Sequence, residues 1–265
     1  MLTYRDFIKA FQELGLISES QVLVHTSLSA LGGIAGGAET IAGALLATVS
    51  VVITPTFTTK TMIIPPFGPE DNAIHYDSSN QGETIGEPFR IDLPADRALG
   101  ELAEVIRRYP RAYRSNHPLL SFAGVNAKDL LSTQSLEDPW APIRRLADSD
   151  GDVLLIGVDH RANVSLHYAG LLAGRKQFLR WAIWDGKVVE VPNWPGCSKG
   201  FHSIAPKLEG VVREAPLGST SLQAIPLRDL VNIAKGWIRE DPEALLCQDP
   251  DCEYCRIVRA SQNAN

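Results

Sequence analysis

Gln21-Val22-Leu23-Val24-His25-Thr26-Ser27-Leu28-Ser29-Ala30-Leu31-Gly32-Gly33-Ile34-Ala35-Gly36-Gly37 is the stretch from which the rest of the chain is organised. Val22 to Val24 read as a short apolar strand with His25 at its end. A hydroxyl-rich loop follows, carrying Thr26, Ser27 and Ser29, and then four glycines in six positions. Ala38 to Val49 place Ile41, Ala44, Leu45 and Thr48 to Val49 near helical spacing. A strand, a loop of small residues and a helix start form a cradle for an anion or cofactor. Glycine lets backbone approach a ligand, and N–H groups at a helix start favour phosphate. There is no Walker lysine, and the glycines do not carry the dinucleotide spacing. An ordinary strand-to-helix connection satisfies the same pattern.

Moving outward, the chain has 265 residues, 45% hydrophobic and 21% charged. That composition supports one globular α/β domain over residues 1–265. The net charge of −6 argues against a nucleic-acid surface and suits a cationic small molecule. No apolar run reaches membrane-spanning length, and residues 1–6 lack a signal-peptide core, so a cytoplasmic protein is expected. Thr3 and Asp6 make a capping box before Phe7, Ile8, Phe11 and Leu14, with Gly15 ending the helix. Val51 to Ile53 form a second strand. Residues 56–95 read as a long loop whose Glu70, Asp71, Asp77, Glu83 and Glu87 could line the approach of a cation. Asp96 is read as the cap of a helix holding Leu99, Leu102, Ala103 and Ile106. Leu119 to Val125 and Asp152 to Ile156 read as strands, and Pro139 to Leu146 as a short helix. Asn163 caps a helix with Leu166, His167 and Leu171. Asp185-Gly186 between Phe178–Trp184 and Lys187–Val191 is a hairpin signal. Leu217 to Ile225 contain another strand, and Leu227 to Ile238 an amphipathic helix. Alternating strands and helices with one hairpin give a mixed central sheet flanked by helices.

Six histidines are present, and His25, His117 and His167 adjoin ends of strands, where ligands meet α/β sheets. His167 follows a strand, Gly157 and a short loop. A neutral imidazole there could take a proton from an amine or hydroxyl. Gly-x-Ser-x-Gly and His-Glu-x-x-His are both missing, so a serine hydrolase and a metallohydrolase of those kinds find no support.

Three ordered blocks carry a resemblance. The first is His25-Thr26-Ser27-Leu28-Ser29-Ala30-Leu31-Gly32 with Gly36-Gly37-Ala38-Glu39-Thr40, joined by Thr54-Pro55-Thr56-Phe57. The second is Arg114-Ser115-Asn116-His117-Pro118 with Ser121-Phe122-Ala123-Gly124. The third is Leu155-Ile156-Gly157 with Asn163-Val164-Ser165-Leu166-His167-Tyr168-Ala169. Together they resemble the aminoglycoside 3-N-acetyltransferases, whose fold is distinct from the common N-acetyltransferase superfold. The resemblance implies acetyl-CoA as donor, held by residues 25–32 and by Arg114, Ser115, His117, Ser121 and Phe122. It implies His167 as the base that deprotonates the acceptor amine, a 3-amino group of 2-deoxystreptamine, and hence antibiotic resistance. It departs at Gly170, where the family usually has a glutamate. Asp159 is the nearby acid that could substitute, and Asp185 and Glu190 are further substrate-binding candidates. An amine-bearing metabolite as acceptor, or a non-catalytic CoA-binding protein, are the alternatives, and a homodimer is the assembly to test.

Cys247, Cys252 and Cys255 form Cys-x4-Cys-x2-Cys in the segment 241–265, and Cys197 lies upstream. Three thiolates with a fourth ligand brought by the fold suit a structural zinc, with Cys197 as that ligand and His202 as its rival. Reduced thiols without metal are the other reading.

Overall fold

The computed structural model describes residues 1–76 and 86–262; Asp77 and Glu83 lie outside them. Helix α1 (Tyr4–Glu13) opens the chain. Its start is closed by the Thr3 amide donating to the Asp6 carboxylate at 2.8 Å. Strand β1 (Gln21–Thr26) passes through a 3-10 turn, Leu28–Leu31, to helix α2 (Gly37–Thr48). Strand β2 (Val51–Pro55) returns parallel to β1. The short strand β3 is Met62–Ile63, and helix α3 is Glu101–Arg108. Strands β4 (Ala112–Arg114) and β5 (Phe122–Val125) precede helices α4 (Lys128–Leu131) and α5 (Ala141–Asp148). Strand β6 (Asp152–Ile156) leads into helix α6 (Ser165–Leu172). The hairpin strands are β7 (Phe178–Trp184) and β8 (Lys187–Trp194). Strands β9 (Arg213–Leu217) and β10 (Thr220–Pro226), then helices α7 (Leu227–Glu240) and α8 (Glu253–Gln262), complete the described chain.

The main sheet has seven strands in the order β4-β5-β2-β1-β6-β10-β9. Strand β1 is parallel to β2 and β6, and the outer pairings are antiparallel. Side chains alternate across this sheet. Leu23, Ile53, Val153 and Leu155 face a core with Trp140, Ile143, Leu166 and Leu230. Val22, Val24, Val52, Leu154 and Ile156 face the other core, with Phe7, Phe11, Ile41 and Leu45. A strand buried on both faces must be apolar at every position, which is why β1 and β6 read as unbroken apolar runs. Gly157, at φ +66°, ends β6 where an added Cβ would sit 2.7 Å from the Ser27 carbonyl oxygen. The loops leaving β1 and β6 therefore touch.

Several expectations are corrected. In the glycine-rich segment, Leu2 donates to Gly33 O and Ala35 donates to Leu2 O, so residues 33–35 dock on the N-terminal segment. Asp96 precedes only a 3-10 turn, Arg97–Leu99, and its side chain does not cap it. Its carboxylate accepts from the Thr59 amide at 3.1 and 3.0 Å, and the α-helix starts only after Gly100. The strand expected within Leu217–Ile225 is present as β10, turned back on β9 at Gly218. The long loop is docked where it is described. Met62 and Ile63 pair with β7, and the Asn72 side chain bonds both backbone groups of Leu179. The segment after Glu240 is not a plain tail but carries α8. The Asp185-Gly186 hairpin forms as read, with φ of +50° and +71°.

Arg114 staples the described end of the long loop to the sheet. Its buried guanidinium donates to Thr56 O at 2.7 Å, Ser121 Oγ at 3.1 Å, Ile91 O at 3.0 Å and Leu93 O at 2.5 Å. Replacing it strands buried acceptors, each costing about 1–3 kcal/mol. Arg114→Met is expected to lower the urea-unfolding free energy by at least about 3 kcal/mol on that scale. A loss below about 1 kcal/mol would show that water satisfies those carbonyls instead.

Candidate active site

The C-terminal ends of the parallel strands open into a cavity of about 980 Å³. Crevices of this kind form outside the carboxyl ends of parallel strands where connections diverge. His25 to Ser29 enter from β1, Thr54, Pro55 and Phe57 from β2, and Val158, Arg161, Asn163 and His167 from the β6–α6 connection. Pro94 to Glu101 and Glu104 form the facing wall, and Ser198 reaches in from the loop after β8.

The third block is folded to present His167. Asn163 Oδ1 accepts from the Ser165 amide at 3.1 Å and starts α6. His167 follows in the first turn, stacked on Trp140 with ring centroids 5.9 Å apart and edge-on to Phe201 at 4.7 Å. Burial, assisted by the nearby Arg175 guanidinium, pushes its pKa down to about 3. The ring is therefore neutral at physiological pH. His25 also lines the cavity, and burial pushes it to about 3. The Ser27 and Ser29 hydroxyls lie 3.0 Å apart beside it. Three carboxylates, Asp96, Glu101 and Glu104, share the facing wall with Arg97. Sequence reading took Asp96 for a helix cap and did not single out Glu101 and Glu104, whose i,i+3 spacing on one side of α3 was the available signal.

Other expected site residues lie elsewhere. Ala30, Leu31 and Gly32 do not line the cavity. Nor do Arg114, Ser115, His117, Ser121 and Phe122, all of which are buried. His117 Nδ1 accepts from the Leu119 and Leu120 amides at 3.2 and 2.8 Å, which shapes the turn into β5. Apart from His117 Nε2, which has no partner, their hydrogen-bonding groups are spent on the sheet and its turns, so this block positions the site rather than lining it. Asp159 does not stand in for a carboxylate beside His167. It is paired with Arg161 Nε at 2.9 Å, which holds it below the usual carboxylate range, and it faces a separate groove of about 490 Å³. Asp185 lies at the hairpin tip and Glu190 is exposed on β8, both outside the cavity.

The four cysteines are brought together. One sulfur from each of Cys197, Cys247, Cys252 and Cys255 lies within 4.8 Å of every other. His202 is not among them; it stands over His160 at 6.2 Å and beside Asp159 at 4.0 Å. The Lys199 amide donates to Cys197 Sγ at 3.3 Å, and Lys199 Nζ pairs with Asp249 at 3.0 Å, tying the two cysteine loops.

The sequence model described as aminoglycoside 3-N-acetyltransferase matches residues 23–239. The chain belongs to that family. It is an acetyltransferase by that membership. Aminoglycoside N(3)-acetyltransferase VII of Streptomyces paromomycinus is 30% identical over 262 residues, covering 86% of this chain and 88% of that one. The crystal structure of aminoglycoside acetyltransferase AAC(3)-IVa superposes with a TM-score of 0.78 at 26% identity, covering 98% of both chains. A histidine-to-alanine mutant of that enzyme in complex with a gentamicin gives 0.77 at 25% identity, covering 98% of this chain and 97% of that one. No helix among the described residues is long and apolar enough to cross a membrane.

The buried histidines set an acid limit on this acetyltransferase. Burial lowers His25, His117 and His167 to about 3 and His160 to about 4. The unfolded chain, with histidines near an ordinary value of about 6.5, then binds more protons than the folded one below that pH. Stability is full above that value and is lost as pH falls toward the folded values. The urea midpoint is expected to drop between pH 7.5 and 5; an unchanged midpoint would contradict the burial of these rings.

Proposed function

We propose that the chain transfers an acetyl group from acetyl-CoA to an amine of an aminoglycoside, the 3-amino group of its 2-deoxystreptamine ring, with His167 as general base. The observation that carries this reading is one cavity joining the neutral His167 ring, the hydroxyl loop Thr26–Ser29 and a wall with three carboxylates. Carboxylates suit a polycationic acceptor, and family membership supports the thioester donor. His167 takes the proton of the attacking amine as the N–C bond forms. The tetrahedral oxyanion is stabilised by donors such as the Ser27 and Ser29 hydroxyls, and the C–S bond then breaks to release the CoA thiolate. Gly170, where the family usually has glutamate, favours a narrower or different amine range as the second reading. Acetyl-CoA with a panel of aminoglycosides and simpler amines, read by thiol release and by mass for the added acetyl group, separates the readings; no acetylated amine would leave a binding protein.

His167→Ala is expected to cut turnover by about 10²- to 10⁴-fold, the range for a positioned acid–base group, with CoA affinity little changed. Because the ring stays neutral to about pH 3, wild-type kcat/KM should show no His167 limb between pH 5 and 8. Near-normal turnover in the alanine variant would move the search to His25.

The four cysteines are proposed to hold one structural zinc. A tetrahedral site with Zn–S bonds of about 2.3 Å needs sulfurs about 3.8 Å apart, which the observed clustering within 4.8 Å accommodates. Four protein ligands leave no open position, so the metal would join α8 to the loop after β8. Elemental analysis is expected to give about one zinc per chain, lost with stability in Cys252→Ser. Metal-free protein of full stability would favour reduced thiols.

A further inference from the structure

Gly170 leaves space beside His167. A Cβ there would meet only Arg175, with Cδ at 3.7 Å and Cβ at 3.9 Å. A second, small cavity of about 20 Å³ lies here, lined by His167, Gly170, Arg175 and Gln177 together with Cys197 and Cys255. Among the residues lining this cavity and the large one, His167 alone belongs to both. His167 thus stands between them.

Two buried polar atoms on the residues of this small cavity lack partners: Arg175 Nε, a donor, and Gln177 Oε1, an acceptor. Both side chains are held by their other atoms. Arg175 Nη2 donates to Pro242 O at 3.0 Å and Ala244 O at 2.7 Å. Gln177 Nε2 donates to Arg175 O at 2.9 Å and Lys176 O at 3.3 Å, which leaves its oxygen turned the other way. A buried donor or acceptor left unpaired is costly, so each calls for a partner. One water needs about 10–15 Å³ and two to four polar partners, and this cavity offers both.

We propose that Gln177 is a positioning residue for His167, acting through one water seated in this cavity, in the place that a carboxylate at 170 would occupy. The proposal rests on His167 being the base. The water accepts from Arg175 Nε–H and donates to Gln177 Oε1. When His167 takes the amine proton, both ring nitrogens become donors. The ring nitrogen at the small cavity carries its N–H before and after that step and needs an acceptor most once the ring is charged, and Arg175 cannot be one. The water accepts that N–H while donating its own O–H to Gln177 Oε1. A neutral amide does through water what a carboxylate would do directly, and it does so beside a cation that would otherwise oppose the imidazolium.

The test uses the full-length enzyme. Gln177→Met keeps the volume and removes the acceptor. Its kcat is expected to fall about 10- to 100-fold, as for loss of an outer partner of a functional histidine, with KM for acetyl-CoA unchanged. The ¹⁵N signals of the His167 ring should shift at pH 7 while circular dichroism stays the same. Gln177→Glu retains an acceptor and should keep or raise kcat. Gly170→Glu added to Gln177→Met should restore kcat and the ring signals. Wild-type kcat and unmoved ring signals in Gln177→Met would overturn the proposal. If Gln177→Met does not fold, a loss of kcat in a well-folded Gln177→Glu overturns it instead. The ¹⁵N shift is read without turnover, so it stands apart from the kinetics of His167→Ala, which test the base itself.

Discussion

The three parallel strands β2, β1 and β6 constrain everything else. Parallel neighbours cannot be joined by tight turns, so each crossover must leave over a face of the sheet. The connection from β1 to β2 runs through α2 on one face, and the return to β6 arrives through α5 on the other. The two paths part at the carboxyl ends of the strands and leave a crevice there. The antiparallel flanks β5–β4 and β10–β9 widen the sheet without closing that end. The site is therefore a by-product of connectivity, and side chains at three strand ends meet without being near one another in the chain.

Burial and polarity then decide which of those side chains touch the cavity. His25 and His167 border it while lying deep enough to stay uncharged. His117 sits in a similar sequence setting yet spends its ring nitrogen on two backbone amides. Arg114 is likewise consumed by carbonyls. The second block thus works by keeping the β5 turn and the chain near Leu93 in place, which fixes the carboxylate-bearing wall opposite His167.

The parallel core was legible because double-sided burial writes itself as apolar runs, as in Val22–Val24 and Asp152–Ile156. The Asp185-Gly186 hairpin was legible because positive φ at two successive residues demands such a pair. His167 was legible from its place after Gly157. Short antiparallel pieces were harder. Ala112–Arg114 and the division of residues 213–226 into two strands depend on partners supplied by the fold, not on local pattern. The wall formed by Asp96, Glu101 and Glu104 was hidden because a carboxylate on a helix looks the same whether it faces solvent or a cavity. The docking of the glycine run on Leu2 was hidden for a related reason, since backbone pairing between distant segments leaves no local pattern. The cysteines were legible as a group, but only the fold could choose Cys197 over His202.

Helix α8 carries one more consequence. Tyr254, Cys255 and Val258 form part of the wall behind His167, and Tyr254 also receives a hydrogen bond from the buried Arg180 at 2.8 Å. Every strand of the sheet and the whole large cavity precede them in the chain. A nascent chain can therefore assemble its ligand-facing surfaces while the rear of the imidazole is still open to water. The surroundings of the His167 ring are therefore completed after the sheet, when α8 docks behind it.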